Sequence, residues 1–274
     1  MFDTRQDLSP RSHSRPGLRV PVVLIAGDGI GPEVAEAASR HLSEVYPPFH
    51  WLRADAGERV MEKGIESGLP RETLSKIDQV GLVLKGPLAS SGGASSDVTL
   101  RNVFDLYGNV RPIHALPGLG GPFADRDINF TNICENTKDL NTGSEHMQPP
   151  DVAQGLKLVT RKGCKKIGRL AFAMAEREHR SSVHVVADTH TLRLTDGLFK
   201  ATMQEISRDH PKIDVEHVSA HDCAHQMVMR PEQFEVVITH PTEGSILGDL
   251  GAGLLGGRGL APSAWIGDGE ARFD

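Results

Sequence analysis

Cysteine is scarce: Cys134, Cys164 and Cys223 are the three in 274 residues. An odd count without paired metal spacing excludes a disulfide scaffold and suits a reducing compartment. Long hydrophobic runs are missing too, since no apolar stretch approaches the roughly 20 residues that a membrane-spanning helix needs. Positive charge is not in excess. With Lys and Arg at 30, Asp and Glu at 36 and a net charge of −6, no general basic field attracts nucleic acid, and acidic ligands must be held by local arginines. The chain also lacks internal repeats and low-complexity linkers. What remains is a soluble, globular composition, long enough for one large or two ordinary domains.

The first nineteen residues carry Arg5, Arg11, Arg15 and Arg19 among serines, but also Asp3, Asp7, Pro10 and Pro16. The acids and prolines favour a disordered polar tail over an organelle transit peptide. The expected location is the cytoplasm, with the mitochondrial matrix as the alternative.

Val20 to Ala26 is an apolar run ending at glycine and predicts a buried parallel strand. Gly27-Asp28-Gly29-Ile30-Gly31 follows, with Pro32 where the first turn of a helix tolerates it. The glycine spacing is not that of a dinucleotide fingerprint, so a tight strand-to-helix turn and direct cofactor contact both stand. Val34, Ala38, Leu42 and Val45 give the expected apolar face of that helix. Further strands are expected at 49–54, 80–84, 128–133, 182–187, 215–219 and 236–239, and helices at 71–77, 161–178 and 192–209. A glycine-dense helix and loop should close the chain. Such alternation implies an α/β fold. The segment from Thr142 to Gly155, rich in Pro, Gln and Gly, reads as a loop or clasp-like excursion.

Two arginines, Arg101 and Arg111, lie ten residues apart, the first on a short helical pattern and the second in an extended run. Guanidinium forks bind carboxylates bidentately, so the pair suits a di- or tricarboxylate. The plainer reading, surface ion pairs, stays open on spacing alone.

The stretch Ser95-Ser96-Asp97-Val98-Thr99-Leu100-Arg101, followed by Leu106-Tyr107-Gly108-Asn109-Val110-Arg111-Pro112, resembles the signature of the metal-dependent β-decarboxylating dehydrogenases, the isocitrate/isopropylmalate dehydrogenase family. Similar matches are Gly27 to Val34, Lys85-Gly86-Pro87, Glu135-Asn136-Thr137, Leu194 to Phe199, Pro231 to Phe234 and Ala252 to Gly257. The resemblance implies a two-lobed α/β fold with the first lobe's C-terminal part missing: a flexible tail at 1–19, a large, truncated lobe from 20–98 plus 252–274, and a small dimerisation lobe at 99–251. It also implies a clefted dimer that oxidises a 2-hydroxy acid with NAD or NADP and releases carbon dioxide. Mg²⁺ or Mn²⁺ holds the substrate oxygens, and a lysine–tyrosine pair transfers protons. Substrate carboxylates fall to Ser95, Arg101 and Arg111, with Glu135 at the cleft edge.

Against that pattern the chain departs at several positions. The family lysine falls on Asp188 and a nearby asparagine on His190, the tyrosine on Asn141, and a third substrate arginine on Cys134. Of the metal carboxylates one survives as Asp249, one becomes Ser245, and the neighbouring subunit's falls on His221. Imidazole in place of oxygen donors favours Zn²⁺ or a similar transition metal, with Asp249, His221 and His225 as candidate ligands against the commoner reading of scattered surface histidines. No cofactor-binding residue is assigned, and the effects of Asp97 and His240, where the family has asparagine and proline, are open.

Three functions follow. The first is a divergent, non-catalytic or regulatory carboxylate-binding subunit, as a homodimer or beside an intact homologue. The second is an active oxidoreductase completed by another subunit. The third is an enzyme of altered chemistry with a histidine-rich metal site.

Overall fold

The computed structural model describes residues 19–44, 49–91, 94–119, 121, 123, 125–268 and 270–273. Residues 1–18 and Val45 lie outside them. The chain divides into two compact units, Met1–Ala89 and Ser90–Asp274.

In the first unit β1 (Val20–Ile25) pairs in parallel with β2 (Phe49–Ala54) on one side and β3 (Leu82–Lys85) on the other, connected through α1 (Gly31–Glu44), the short α2 (Glu58–Met61) and α3 (Arg71–Val80). Val22 to Ile25 are buried without alternation, as a strand covered on both faces must be. The turn after β1 uses glycine at φ 79° and 58°, at Gly27 and Gly29. Asp28 between them accepts from the Glu58 and Ala89 amides, at 3.0 and 2.8 Å. The glycine cluster thus pins a strand-to-helix turn to two further segments. The expected apolar face of α1 is displaced: Ala35 and Ser39 are buried while Val34 is exposed, because small residues sit where the helix meets its neighbours. Val80 ends α3 instead of opening a strand, and Gly81, left-handed, caps that helix.

The second unit begins with the hairpin β4 (Ser90–Ser91) and β5 (Ala94–Ser95), then α4 (Ser96–Val103), β6 (Gly108–His114) and β7 (Asn129–Glu135). The expected loop or clasp-like excursion is an antiparallel ribbon of β8 (Glu145–Gln148) and β9 (Val152–Gly155), every residue of it exposed. There follow α5 (Arg161–Arg177), β10 (Ser182–Val186), α6 (Thr195–Ser207), β11 (Asp214–Val218), α7 (Ala220–Met229), β12 (Val236–Thr239) and α8 (Pro241–Leu255). A hairpin of β13 (Ala264–Gly267) and β14 (Glu270–Phe273) closes the described chain where a loop was expected. Helix α7 was not foreseen; Ser219 caps it by accepting from Asp222 N.

Strand order in this unit is β11-β10-β12-β7-β6-β13-β14. The first four are parallel; β6, β13 and β14 run antiparallel to their neighbours. One apolar core joins Val110, Ile133, Val183 and Ile238 to α5 and α6 through Ile167, Phe172, Phe199 and Met203. The opposite core joins Ile113, Phe130 and Val237 to α7 and α8 through Cys223, Met227, Leu247 and Leu254. Helices therefore cover both faces of the sheet. Among the described residues no helix is long and apolar enough to cross a membrane.

Candidate functional site

Helix α8 positions the site. Its glycines 244, 248 and 251 line the face against β6 and β7: a Cβ at Gly244 would meet Thr239 and Cys134, one at Gly251 would meet Ile113, and one at Gly248 would meet Arg111 and Asn132. Glycine density in this helix is the condition for close backbone approach. Asn132 fastens the contact by donating to Gly244 O at 2.9 Å. The Arg111 side chain lies across Gly248 and donates from Nη1 to Asp249 Oδ1 at 3.0 Å, while Arg258 Nη2 reaches Asp249 Oδ2 at 2.6 Å. Burial works to raise the Asp249 carboxyl, but the hydrogen bonds and charges of both arginines outweigh it and hold it below its ordinary value.

The other expected anion ligands have partners of their own. Ser95 is the N-cap of α4, its hydroxyl accepting from Val98 N at 3.4 Å. Arg101 donates to Asn136 Oδ1 at 3.3 Å and to Asp97 O at 3.3 Å, and its guanidinium lies 5.4 Å from the Trp265 ring centre. Glu135 ends β7 and is buried, accepting from Thr137 N, Thr137 Oγ1 and Lys138 N at 3.1, 2.7 and 2.7 Å. Burial raises its carboxyl above the ordinary range despite those bonds. Beside it lies a shallow crevice that also touches Lys138, Thr160, Gly163 and His240.

Cys134, at the third arginine position, is sealed under α8 and its thiol is pushed up to about 12, chiefly by burial. Asp188 follows β10; its amide donates to Asp196 Oδ2 at 2.8 Å, and its carboxyl is held low by Thr191 and, to a smaller extent, by His221 nearby. Asn141 is exposed on the turn Leu140–Thr142. His221 and His225 are one turn apart and exposed on α7. They do form a His-x-x-x-His pair on a helix, but among the described residues no group of three or more metal-ligating side chains comes together. Ser245 is exposed on α8 and brings no carboxylate, and both Asp249 oxygens are taken by guanidinium. A hard divalent cation requires several converging oxygens. The donor set does not fit one.

Sequence reasoning missed two groups. Arg258 stands nine residues beyond Asp249, past the left-handed Gly256 that ends α8; no helical periodicity links the two. Lys157 was missed because alternation points the wrong way: Leu156 and Leu158 are 57% and 44% exposed, whereas the lysine side chain is 13% exposed. Its ammonium lies 3.0 Å from both Asp196 Oδ1 and Glu243 Oε1, with His240 Nε2 3.7 Å from that same Asp196 oxygen.

Residues 21–273 match the isocitrate/isopropylmalate dehydrogenase family. The chain belongs to this family. It is 43% identical over 256 residues to an isocitrate dehydrogenase (NADP) of Thermus thermophilus, spanning 92% of this chain and 52% of that protein. It is 34% identical to a mitochondrial regulatory subunit of an isocitrate dehydrogenase (NAD) from Dictyostelium discoideum, over 92% of this chain and 69% of that one. The isocitrate dehydrogenase structure of Methylococcus capsulatus superposes with a TM-score of 0.87 at 38% identity, covering 93% of this chain and 76% of that chain. The α/β fold inferred from the sequence is therefore the family's. The chain spans about half the length of the Thermus relative.

Proposed function

We propose that this chain is a non-catalytic, carboxylate-binding member of the isocitrate/isopropylmalate dehydrogenase family, acting beside an intact homologue or a second copy of itself. One observation carries the reading: Asp249, the acid kept from the family's metal set, is bound to Arg111 and Arg258, while Asp188 and Asn141 stand where the proton-transferring lysine and tyrosine are expected. An aspartate repels the carboxylates a lysine would attract, and an amide has no proton to give. The arginines remain as anion ligands; Ser95, Arg101 and Arg111 are the proposed carboxylate contacts, with Glu135 as a buried acid at the cleft edge.

Partnership is supported by exposed apolar side chains on and beside the β8–β9 ribbon, Met147, Val152, Leu140, Leu156 and Leu158, each at least 44% exposed. Exposed apolar side chains of that size favour a protein partner. The relative named a regulatory subunit supports the choice of a homologue. The division into lobes at 20–98 plus 252–274 and 99–251, and a cytoplasmic or mitochondrial-matrix location, belong to the same proposal.

The test is absorbance of reduced nicotinamide, with Mg²⁺ or Mn²⁺, NAD or NADP, and isocitrate, isopropylmalate, malate or tartrate in turn. No turnover, together with measurable carboxylate binding and co-purification with an intact homologue, is the expected result. Turnover lost on Arg101→Ala would instead establish the second reading, an active oxidoreductase whose missing groups come from another subunit. The persistence of Ser95, Arg101, Arg111, Glu135 and Asp249 in one chain favours that alternative over an altered metal enzyme.

A further inference from the structure

The cation facing Asp249 is part of this chain. Arg258 follows the turn Gly256-Gly257, where backbone at φ 105° and 156° ends α8 and projects the next residues past its last turn. Its side chain is 82% exposed, so its ion pair adds little to the fold. Its consequence is electrostatic. One carboxylate bridges two permanent cations, its oxygens at 3.0 Å from Arg111 and 2.6 Å from Arg258, and the three groups together carry one net positive charge. Arg111 Nε is buried with no hydrogen-bond partner among the described residues, so this guanidinium retains a donor that Asp249 does not use.

We propose that Arg258 takes the place of a divalent cation, making Arg111–Asp249–Arg258 a metal-independent receptor for a small di- or tricarboxylate that is closed internally by Asp249. The inference rests on the carboxylate-binding reading and deepens it. An incoming carboxylate takes over the donors that Asp249 now occupies, and Asp249 turns outward to water. No covalent step is involved. The internal acid lowers the affinity for any external one, and it selects ligands with two or more carboxylates, since a single carboxylate only exchanges like for like. Arg258, at the rim, engages a second carboxylate that Arg111 alone cannot reach.

Calorimetric titration of malate and isocitrate into the full chain, once with EDTA and once with excess Mg²⁺, tests this. Equal affinity in the two buffers is expected. Arg258→Leu should weaken binding about tenfold, the loss of one charge-assisted hydrogen bond, and Asp249→Asn should tighten it by a similar factor. Acetate should bind far more weakly than either. Binding that requires Mg²⁺, or binding abolished by Arg111→Leu yet unchanged in Arg258→Leu, overturns the receptor while leaving the carboxylate-binding reading intact. Failure of every carboxylate to bind the wild-type chain removes both. Because Arg258 is exposed, its variant folds, and circular dichroism verifies this.

Discussion

Near the start of α8, Glu243 and Asp196 close on Lys157 Nζ at 3.0 Å each, in the interior; six residues further along the same helix, Asp249 meets Arg111 and Arg258 at equally short distances but in reach of water. Contact lengths do not distinguish the two groups. Surroundings do. The Asp196 side chain is 1% exposed and that of Lys157 13%, so removing the lysine strands the Asp196 charge out of reach of water. Asp249 is 39% exposed and Arg258 82%, so there a lost partner is replaced by solvent. The first group fixes the unit and the second is free to exchange.

The largest effect should come from breaking the inner group. Lys157→Met leaves Asp196 and Glu243 unpaired and should cost about 3–5 kcal/mol, seen as a lower urea midpoint. A loss below about 1 kcal/mol would mean that water already reaches the pair, and the contrast with Asp249 would fail. Next in size are the glycines that seat α8. Gly244→Ala drives a methyl into Thr239 and Cys134, neither of which has room to retreat, and should cost about 1–3 kcal/mol. Gly248→Ala meets the movable Arg111 side chain and the Asn132 amide, but at 3.0 and 3.1 Å instead of the closer contacts at Gly244. It should cost less stability but shift Arg111 off Asp249 and weaken carboxylate binding, which titration of both variants will separate.

A smaller effect concerns pH. Burial holds His240 below its ordinary 6.5, with the Lys157 ammonium acting in the same direction against Asp196, Glu243 and Asp139. A depressed histidine is neutral in the native state and takes up a proton on unfolding. Its contribution to stability is therefore complete above about pH 6.5 and is lost as pH falls through the lower native value. His184 and His217, also depressed chiefly by burial, act alike. Urea midpoints at pH 7.5 and 5.5 should show the drop, and His240→Gln should make it shallower. An unchanged slope in that variant would place the acid sensitivity on the other two histidines.

These comparisons also explain what the sequence could disclose. The strands Val20–Ile25 and Val236–Thr239 were legible because continuous apolar runs are what strands buried on both faces require. Helix α5 was legible from Cys164, Ile167, Ala171 and Ala175 at helical spacing. Helix α7 was not, because Cys223 and Met227 alone are buried on it and two histidines interrupt the pattern. At the site, Arg111 and Asp249 were legible from the family signature, but their mutual bond spans 138 residues and depends on Gly248 lacking a side chain. Arg258 and the Lys157 group carry no local signal at all. Their partners lie across the fold, and in Leu156-Lys157-Leu158 the hydrophobic pattern is inverted.

The smallest expected change in stability is the most informative about function. Asp249→Asn removes a charge bonded to two arginines, which in an interior would be severe, yet here the stability change should stay within about 1 kcal/mol because Arg258, 82% exposed, returns to water and the asparagine oxygen can still accept from Arg111. Arg258→Leu should be as mild. If both variants unfold at nearly the wild-type urea midpoint while their malate affinities move in opposite directions, the outer group exists for a ligand and not for the fold. A loss of several kcal/mol in Asp249→Asn would instead place this acid with Asp196 and Glu243 as a structural charge, and the distinction between the two ends of α8 would collapse.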